Sequence, residues 1–216
     1  AISEIAGIAS IQIASDYMCS MNGGKGLLFG NVTGVPPTEV VIIGAGIVAE
    51  SAVKTAIALG VNVKVFDNNI HKLKRLQKSL PTQIFTSTIQ ERVLTKALMR
   101  CDVEIGAVKG CNRSPILVTE EMVQRMKPGA VIIDVCIDNG GCFETSEITT
   151  HEHPTQTKYG VIHYGVPNIT AKYSKTATLA ISNIISPYLL DLSENGSIDD
   201  AISYDNTIRS GIYMYK

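Results

Sequence analysis

The stretch from Val40 to Asp67 carries the residues with the clearest chemical meaning. Gly44-Ala45-Gly46-Ile47-Val48-Ala49 follows the apolar run Val40-Val41-Ile42-Ile43 directly and opens a helical pattern. A bound pyrophosphate needs this arrangement. Gly44 permits a tight turn, Gly46 lets backbone approach the phosphates, and a helix N-terminus offers N–H groups and the positive end of its dipole. Ala49 is the third small residue, an allowed variant that keeps helix and strand close. Asp67 stands 23 residues after Gly44, where a carboxylate accepts hydrogen bonds from the adenosine ribose hydroxyls. Glycine turns also serve purely structural roles, so a fold of this kind that binds nothing is the alternative. Strand, loop, helix, strand and acid occur here in order, so a dinucleotide site is expected. Asp67 favours NAD over NADP, because a carboxylate there repels a 2′-phosphate. Lys72 and Arg75 lie close by and read first as solvated helix residues.

These groups need a scaffold, and the pattern around them supplies one. Strands are expected at Val40–Ile43, Val61–Phe66, Gln83–Phe85, Val103–Val108, Ala130–Val135 and Val161–Tyr164. Helices are expected between them at Ile47–Leu59, Ile70–Leu80, Gln90–Met99 and Glu120–Met126. Short strands alternating with helices imply an α/β, Rossmann-type doubly wound parallel sheet with helices on both faces. Flanking helices complete the reading. Ser3 is a plausible N-cap for a first helix stopped at Gly23-Gly24, and Leu27-Leu28-Phe29 reads as a short strand. Ser174–Leu192 reads as a long helix that Pro187 kinks or ends early, and the tail from Asp199 as one more short helix. The expected division is a linking helix over 1–25, the dinucleotide domain over 26–174 and a C-terminal helical segment over 175–216.

Composition removes several classes of function. Of 216 residues, 19 are basic and 20 acidic, with no basic stripe of the kind a nucleic-acid binder carries. No apolar run is long enough to cross a bilayer. Cys19, Cys101, Cys111, Cys136 and Cys142 are scattered, so they read as free thiols of a reducing, cytoplasmic compartment. Their spacing fits no usual zinc pattern, and His151 and His153 read as structural, so no metal is expected. The chain opens without Met or a basic leader and is read as a piece of something longer. The first helix is apolar on more than one face, which calls for a partner surface and a homo-oligomer.

Met126-Lys127-Pro128-Gly129, the run Asp134 to Thr145 with its Gly-Gly-Cys-Phe-Glu, Thr149-Thr150-His151 and Lys175-Thr176-Ala177-Thr178 resemble the alanine dehydrogenases. That family shares its fold with the NAD-binding subunit of proton-translocating transhydrogenases. The resemblance implies that the chain is the NAD-binding part of an enzyme oxidising L-alanine to pyruvate and ammonium. It makes Asp138 the catalytic aspartate, although the residues alone equally allow a turn-forming Asp before Asn-Gly. It places Ser3, Lys72, Ala107, Val108, Val166 and Asn168 along the coenzyme. Val-Pro-Asn-Ile stands where the family usually has Val-Ala-Asn-Met. The family's substrate arginine and lysine and its acid/base histidine precede the first residue here, and none of His71, His151, His153 or His163 matches that histidine. The competing expectations are a transhydrogenase part, which needs membrane subunits, and an NAD-binding module without catalysis.

Overall fold

Val, Ile and Phe fill the short apolar runs, and such residues pack best on a pleated, buried surface. In the computed structural model, which describes residues 1–110, 112–194 and 198–213, the runs become strands of one sheet. After α1 (Ile2–Met18) come β1 (Glu39–Ile43), α2 (Ile47–Ala58), β2 (Asn62–Phe66), α3 (Ile70–Lys78) and β3 (Phe85–Ser87). The second half runs α4 (Glu91–Leu98), β4 (Val103–Gly106), α5 (Glu120–Gln124), β5 (Val131–Asp134), β6 (Thr155–Lys158) and β7 (Val161–Tyr164). Then follow α6 (Ser174–Glu194), α7 (Ile198–Tyr204) and α8 (Asn206–Ser210). The sheet order is β3-β2-β1-β4-β5-β7-β6, parallel except where β6 pairs antiparallel with β7. Strand order reverses between β1 and β4, which opens a crevice beyond their carboxyl ends.

Residues 3–172 form one compact unit, and residues 1–2 with 173–216 form another. In the first, Val41, Ile43, Phe66, Leu94, Leu98, Val123, Ile132 and Phe143 build one core. At the amino end of β4, Asp102 accepts hydrogen bonds from Lys25, Lys127 and the Glu39 N–H, each at 3.0 Å. Burial alone would raise its pKa, but these donors outweigh burial and hold the carboxyl below its ordinary value.

Several expectations are corrected. Ser3 is not an N-cap, since α1 already starts at Ile2. The apolar faces of α1 are largely covered within the chain: Ile11, Ile13, Ala14 and Met18 are buried, while Ile8 stays 42% exposed. Close packing on α2 makes this possible, because a Cβ at Gly7 would stand 2.3 Å from the Val48 carbonyl oxygen. Leu27-Leu28-Phe29 forms no strand, and Leu28 is 71% exposed. The segment pairs with no strand of the sheet, and Thr38 Oγ1 donates to the Leu28 carbonyl at 2.8 Å. β3 begins two residues later than expected, at Phe85. α6 runs through Pro187 to Glu194. A proline removes one N–H and crowds one carbonyl, and an exposed helix end absorbs that. The tail holds two short helices rather than one, with residues 214–216 outside the described residues. Cys111 also lies outside them.

β6 was not expected at all. Thr155-Gln156-Thr157-Lys158 lacks an apolar face because it is an edge strand, paired on one side only. The readable signal was Tyr159-Gly160, whose φ values of 55° and 74° make the two-residue hairpin joining it to β7.

Candidate coenzyme site

The end of β1 is built for close approach. Gly44 has φ 109°, and a Cβ there would sit 2.3 Å from the Ala107 carbonyl oxygen, so only glycine lets the turn pack against the end of β4. The Gly44 N–H donates to the Phe66 carbonyl at 2.7 Å, and the Ala107 N–H donates to that of Ile43 at 2.8 Å. Gly46 differs: its φ is −83°, and a Cβ there would meet nothing within 4 Å. No protein neighbour therefore requires glycine at 46, and the space beside it is open. Gly46 caps α2 without any side-chain hydrogen bond to the first turn, which leaves that turn's N–H groups facing the opening. Ala49 is fully buried, so it acts by keeping helix and sheet close and not by touching a ligand.

Asp67 follows β2. Its Oδ2 accepts from the Ala45 N–H and its Oδ1 from the Asn69 N–H, both at 2.7 Å. The carboxylate thus holds the glycine loop and the start of α3 together, and each oxygen keeps a lone pair for a hydroxyl. Asn69 caps α3 by accepting from the Lys72 N–H at 3.1 Å. Arg75 is not simply solvated, since its Nη2 donates to the Ala45 carbonyl at 3.3 Å.

Gly44, Gly46, Asp67, Lys72, Ala107 and Val108 line one cavity of about 220 Å³. Asn68, Ile89, Lys109, Pro115 and Leu117 complete its wall and were not expected. Asn68 had a readable signal: it directly follows Asp67, and its Oδ1 accepts from the Ile89 N–H at 3.0 Å. The others come from loops whose paths the sequence does not specify.

Asp138 lies on a 3-10 turn, Ile137–Asn139, just past β5. It is exposed, and its two oxygens accept from the Asn168 N–H at 3.0 and 3.2 Å. Asn168 has φ 50°, and Thr170 Oγ1 donates to its Oδ1 at 2.9 Å. The structure therefore joins Asp138 and Asn168, which stand 30 positions apart. Val166 is buried, so its side chain packs inward. A link runs back to the first cluster: Ser114 donates its N–H to the Asn139 carbonyl at 2.8 Å and its Oγ to that of Val108 at 3.4 Å. Ser3, in the first turn of α1, is not part of the cavity wall.

The buried histidine is structural. His163 Nε2 pairs with Thr145 Oγ1 at 2.8 Å and Nδ1 with the Val161 carbonyl at 3.0 Å. Burial pushes its pKa below the ordinary value, so it is neutral. His151 and His153 are both exposed.

A parallel sheet whose order reverses beside a glycine loop, an uncapped helix start and an acid at the next strand defines a dinucleotide-binding fold of the Rossmann class. Residues 10–216 match the family model described as alanine dehydrogenase/PNT, C-terminal domain, and the chain belongs to that family. An alanine dehydrogenase of Methanococcus maripaludis is 43% identical over 198 residues, covering 90% of this chain and 53% of the relative. One of Bacillus subtilis is 40% identical over 217 residues, covering 98% and 56%. A solved L-alanine dehydrogenase superposes with a TM-score of 0.92 at 37% identity, covering 99% of this chain and 59% of the other. A transhydrogenase structure from Sinorhizobium meliloti, at 23% identity and TM-score 0.75, shares the fold. The chain spans just over half the length of the curated relatives it matches.

Proposed function

We propose that residues 3–172 bind NAD, as the coenzyme half of an L-alanine dehydrogenase. The observation that carries this reading is the glycine loop, where Gly44 is required by its neighbours and Gly46 by none. A residue kept free of a side chain against empty space suits a ligand that fills that space. The uncapped start of α2 would take the pyrophosphate, and Asp67 the adenosine ribose hydroxyls. Ala107 and Val108 would lie along the dinucleotide, which leads past Ser114 towards Asp138 and Asn168. Lys72, Val166, Ser3 and Ala49 belong to this proposal as flanking or packing residues.

NAD supplies a hydride acceptor when bound. The overall change is L-alanine, NAD⁺ and water to pyruvate, ammonium, NADH and a proton. In that reaction Asp138 would orient the reacting groups, held in place by the Asn168 N–H. Binding the substrate carboxylate needs a cation, and moving the amino or water proton needs a base. The resemblance assigns both to a segment that these 216 residues do not match, and the expectation is that the chain binds NAD without turning over alanine. α6 suits a role in that substrate-binding half: Leu179, Ile184, Leu189 and Leu190 along it are all exposed. A homo-oligomer in the cytoplasm is part of the same proposal. Among the described residues, no helix is long and apolar enough to cross a membrane.

Calorimetric titration with NAD and NADP tests the binding claim. Tighter binding of NAD is expected, and equal affinities or an NADP preference would refute the role given to Asp67. A second assay follows NADH formation with saturating alanine. Robust turnover by these 216 residues alone would show that the substrate-binding half is dispensable.

A further inference from the structure

One buried cluster takes no part in the function above. β5 carries Asp134 into the interior, the chain passes Cys136, and a turn through Gly140 and Gly141 (φ 89° and 70°) brings back Cys142. Asp134, Cys136 and Cys142 are all buried, with ligand-capable atoms within 4.8 Å of one another. Asp134 accepts from the Cys136 and Cys142 N–H groups at 3.2 Å each and from the Cys136 thiol at 3.1 Å, so both cysteines already converge on its carboxyl. The neighbouring strand adds a fourth group. Gly106 pairs with Asp134, and Glu104, two residues earlier on β4, shares that face of the sheet. Glu104 is completely buried, and neither of its carboxyl oxygens has a hydrogen-bond partner. On that face it stands beside the cluster, with its oxygens outside the 4.8 Å that joins the other three groups, so binding would have to draw it in. A buried carboxyl without a partner is costly, and folds rarely tolerate one.

We propose that Asp134, Cys136, Cys142 and Glu104 form a buried site for a soft divalent cation of zinc's class. Two thiolates and two carboxylates satisfy a closed tetrahedral shell, and sulfur ligands select such ions over magnesium or calcium. Binding takes one proton from each thiol and one from the buried Glu104 carboxyl and releases them to solvent. The spacing of the cysteines alone does not suggest this, since five residues separate them. The double-glycine turn shortens that span in space, and the sheet register supplies the carboxylates. The role would be structural: Asp138 rides on the loop between the two thiols, so a cation there pins the loop at both ends.

The test titrates reduced, metal-free chain with cobalt(II) in place of zinc. One cobalt per chain is expected, with thiolate-to-cobalt absorption in the near ultraviolet that zinc abolishes. Cys142→Ser should weaken binding at least roughly a hundredfold, and Glu104→Gln about tenfold to a hundredfold, with far-ultraviolet circular dichroism reporting that each variant folds. X-ray absorption of the zinc-loaded natural chain needs no variant and should show two sulfurs at about 2.3 Å and two oxygens at about 2.0–2.2 Å. No cobalt–thiolate absorption at excess metal, or a zinc shell without sulfur, would overturn the proposal.

Discussion

The loops after β1 and β5 both present functional groups beyond the carboxyl ends of parallel strands, yet they are built differently. The first is almost all backbone: Gly44 and Gly46 give the shape, an uncapped helix start gives the charge, and one side chain, Asp67, ties it down. The second rests on buried side chains, with Asp134 beneath it and Asp138 reaching across to the Asn168 N–H. The lesson is that a site made of backbone tolerates few substitutions at its own positions. One made of side chains depends on residues the ligand never meets.

The largest expected effect lies in the second loop. In a protein completed with the substrate-binding half, Asp138→Asn should lower kcat by roughly a hundredfold to ten-thousandfold, while NAD affinity falls far less. Equal losses in steady-state kinetics and calorimetry would make Asp138 a binding residue and erase the distinction drawn here.

Next come the two glycines of the first loop, which should separate stability from binding. Gly44→Val places a Cβ against the Ala107 carbonyl at φ 109°. It should cost on the order of 3 kcal/mol, a fall of roughly 6–12 °C in Tm. Gly46→Val should leave Tm almost unchanged and abolish NAD binding in calorimetry. If both variants lost only stability, the open space at Gly46 would have no ligand to explain it.

In the second loop, Gly141→Ala should cost about 1–3 kcal/mol. Its φ is 70°, and the added Cβ would stand 2.6 Å from Asp134 Oδ2. Chemical denaturation measures this; a neutral result would show that Asp134 does not brace the loop.

The smallest effect is a pH dependence. His163 is neutral when folded, with its pKa lowered mainly by burial and also by Lys158, against the Val161 carbonyl and Glu147, which act the other way. The unfolded chain takes up a proton at about pH 6.5, before the folded one does. Stability should therefore fall as pH drops below that value, by at most about 1.4 kcal/mol per pH unit, until the folded histidine also protonates. His163→Gln should remove that slope in denaturation series run between neutral and mildly acidic pH. An unchanged slope would assign it to other groups.

The same contrast explains what the sequence disclosed. The first loop was legible because its function demands residue types at fixed offsets: Gly44, Gly46, Ala49 and Asp67 can be found by spacing. The central strands were legible because they are buried on both faces and so are continuously apolar. Asp138 was not legible from the residues, since Asp-Asn-Gly equally makes a turn, and only the resemblance separated the two readings. Its partner Asn168 comes from 30 positions away, a contact set by the pairing of β5 with β7. Leu27–Phe29 misled for the opposite reason. Its composition suits a strand, but the segment joins no sheet and leaves Leu28 largely exposed.

The hairpin of β6 and β7 bears on how the chain behaves in a crowded solution. An open sheet exposes unpaired N–H and C=O groups at each margin, and a long apolar margin invites another chain to add itself. Here one margin is Thr-Gln-Thr-Lys, polar and four residues long, with Lys158 bound to Glu147 at 2.6 Å. The other is β3, three residues long. Both borders are thus poor templates for fibre growth, and the strongly apolar strands that invite it are kept to the middle of the sheet.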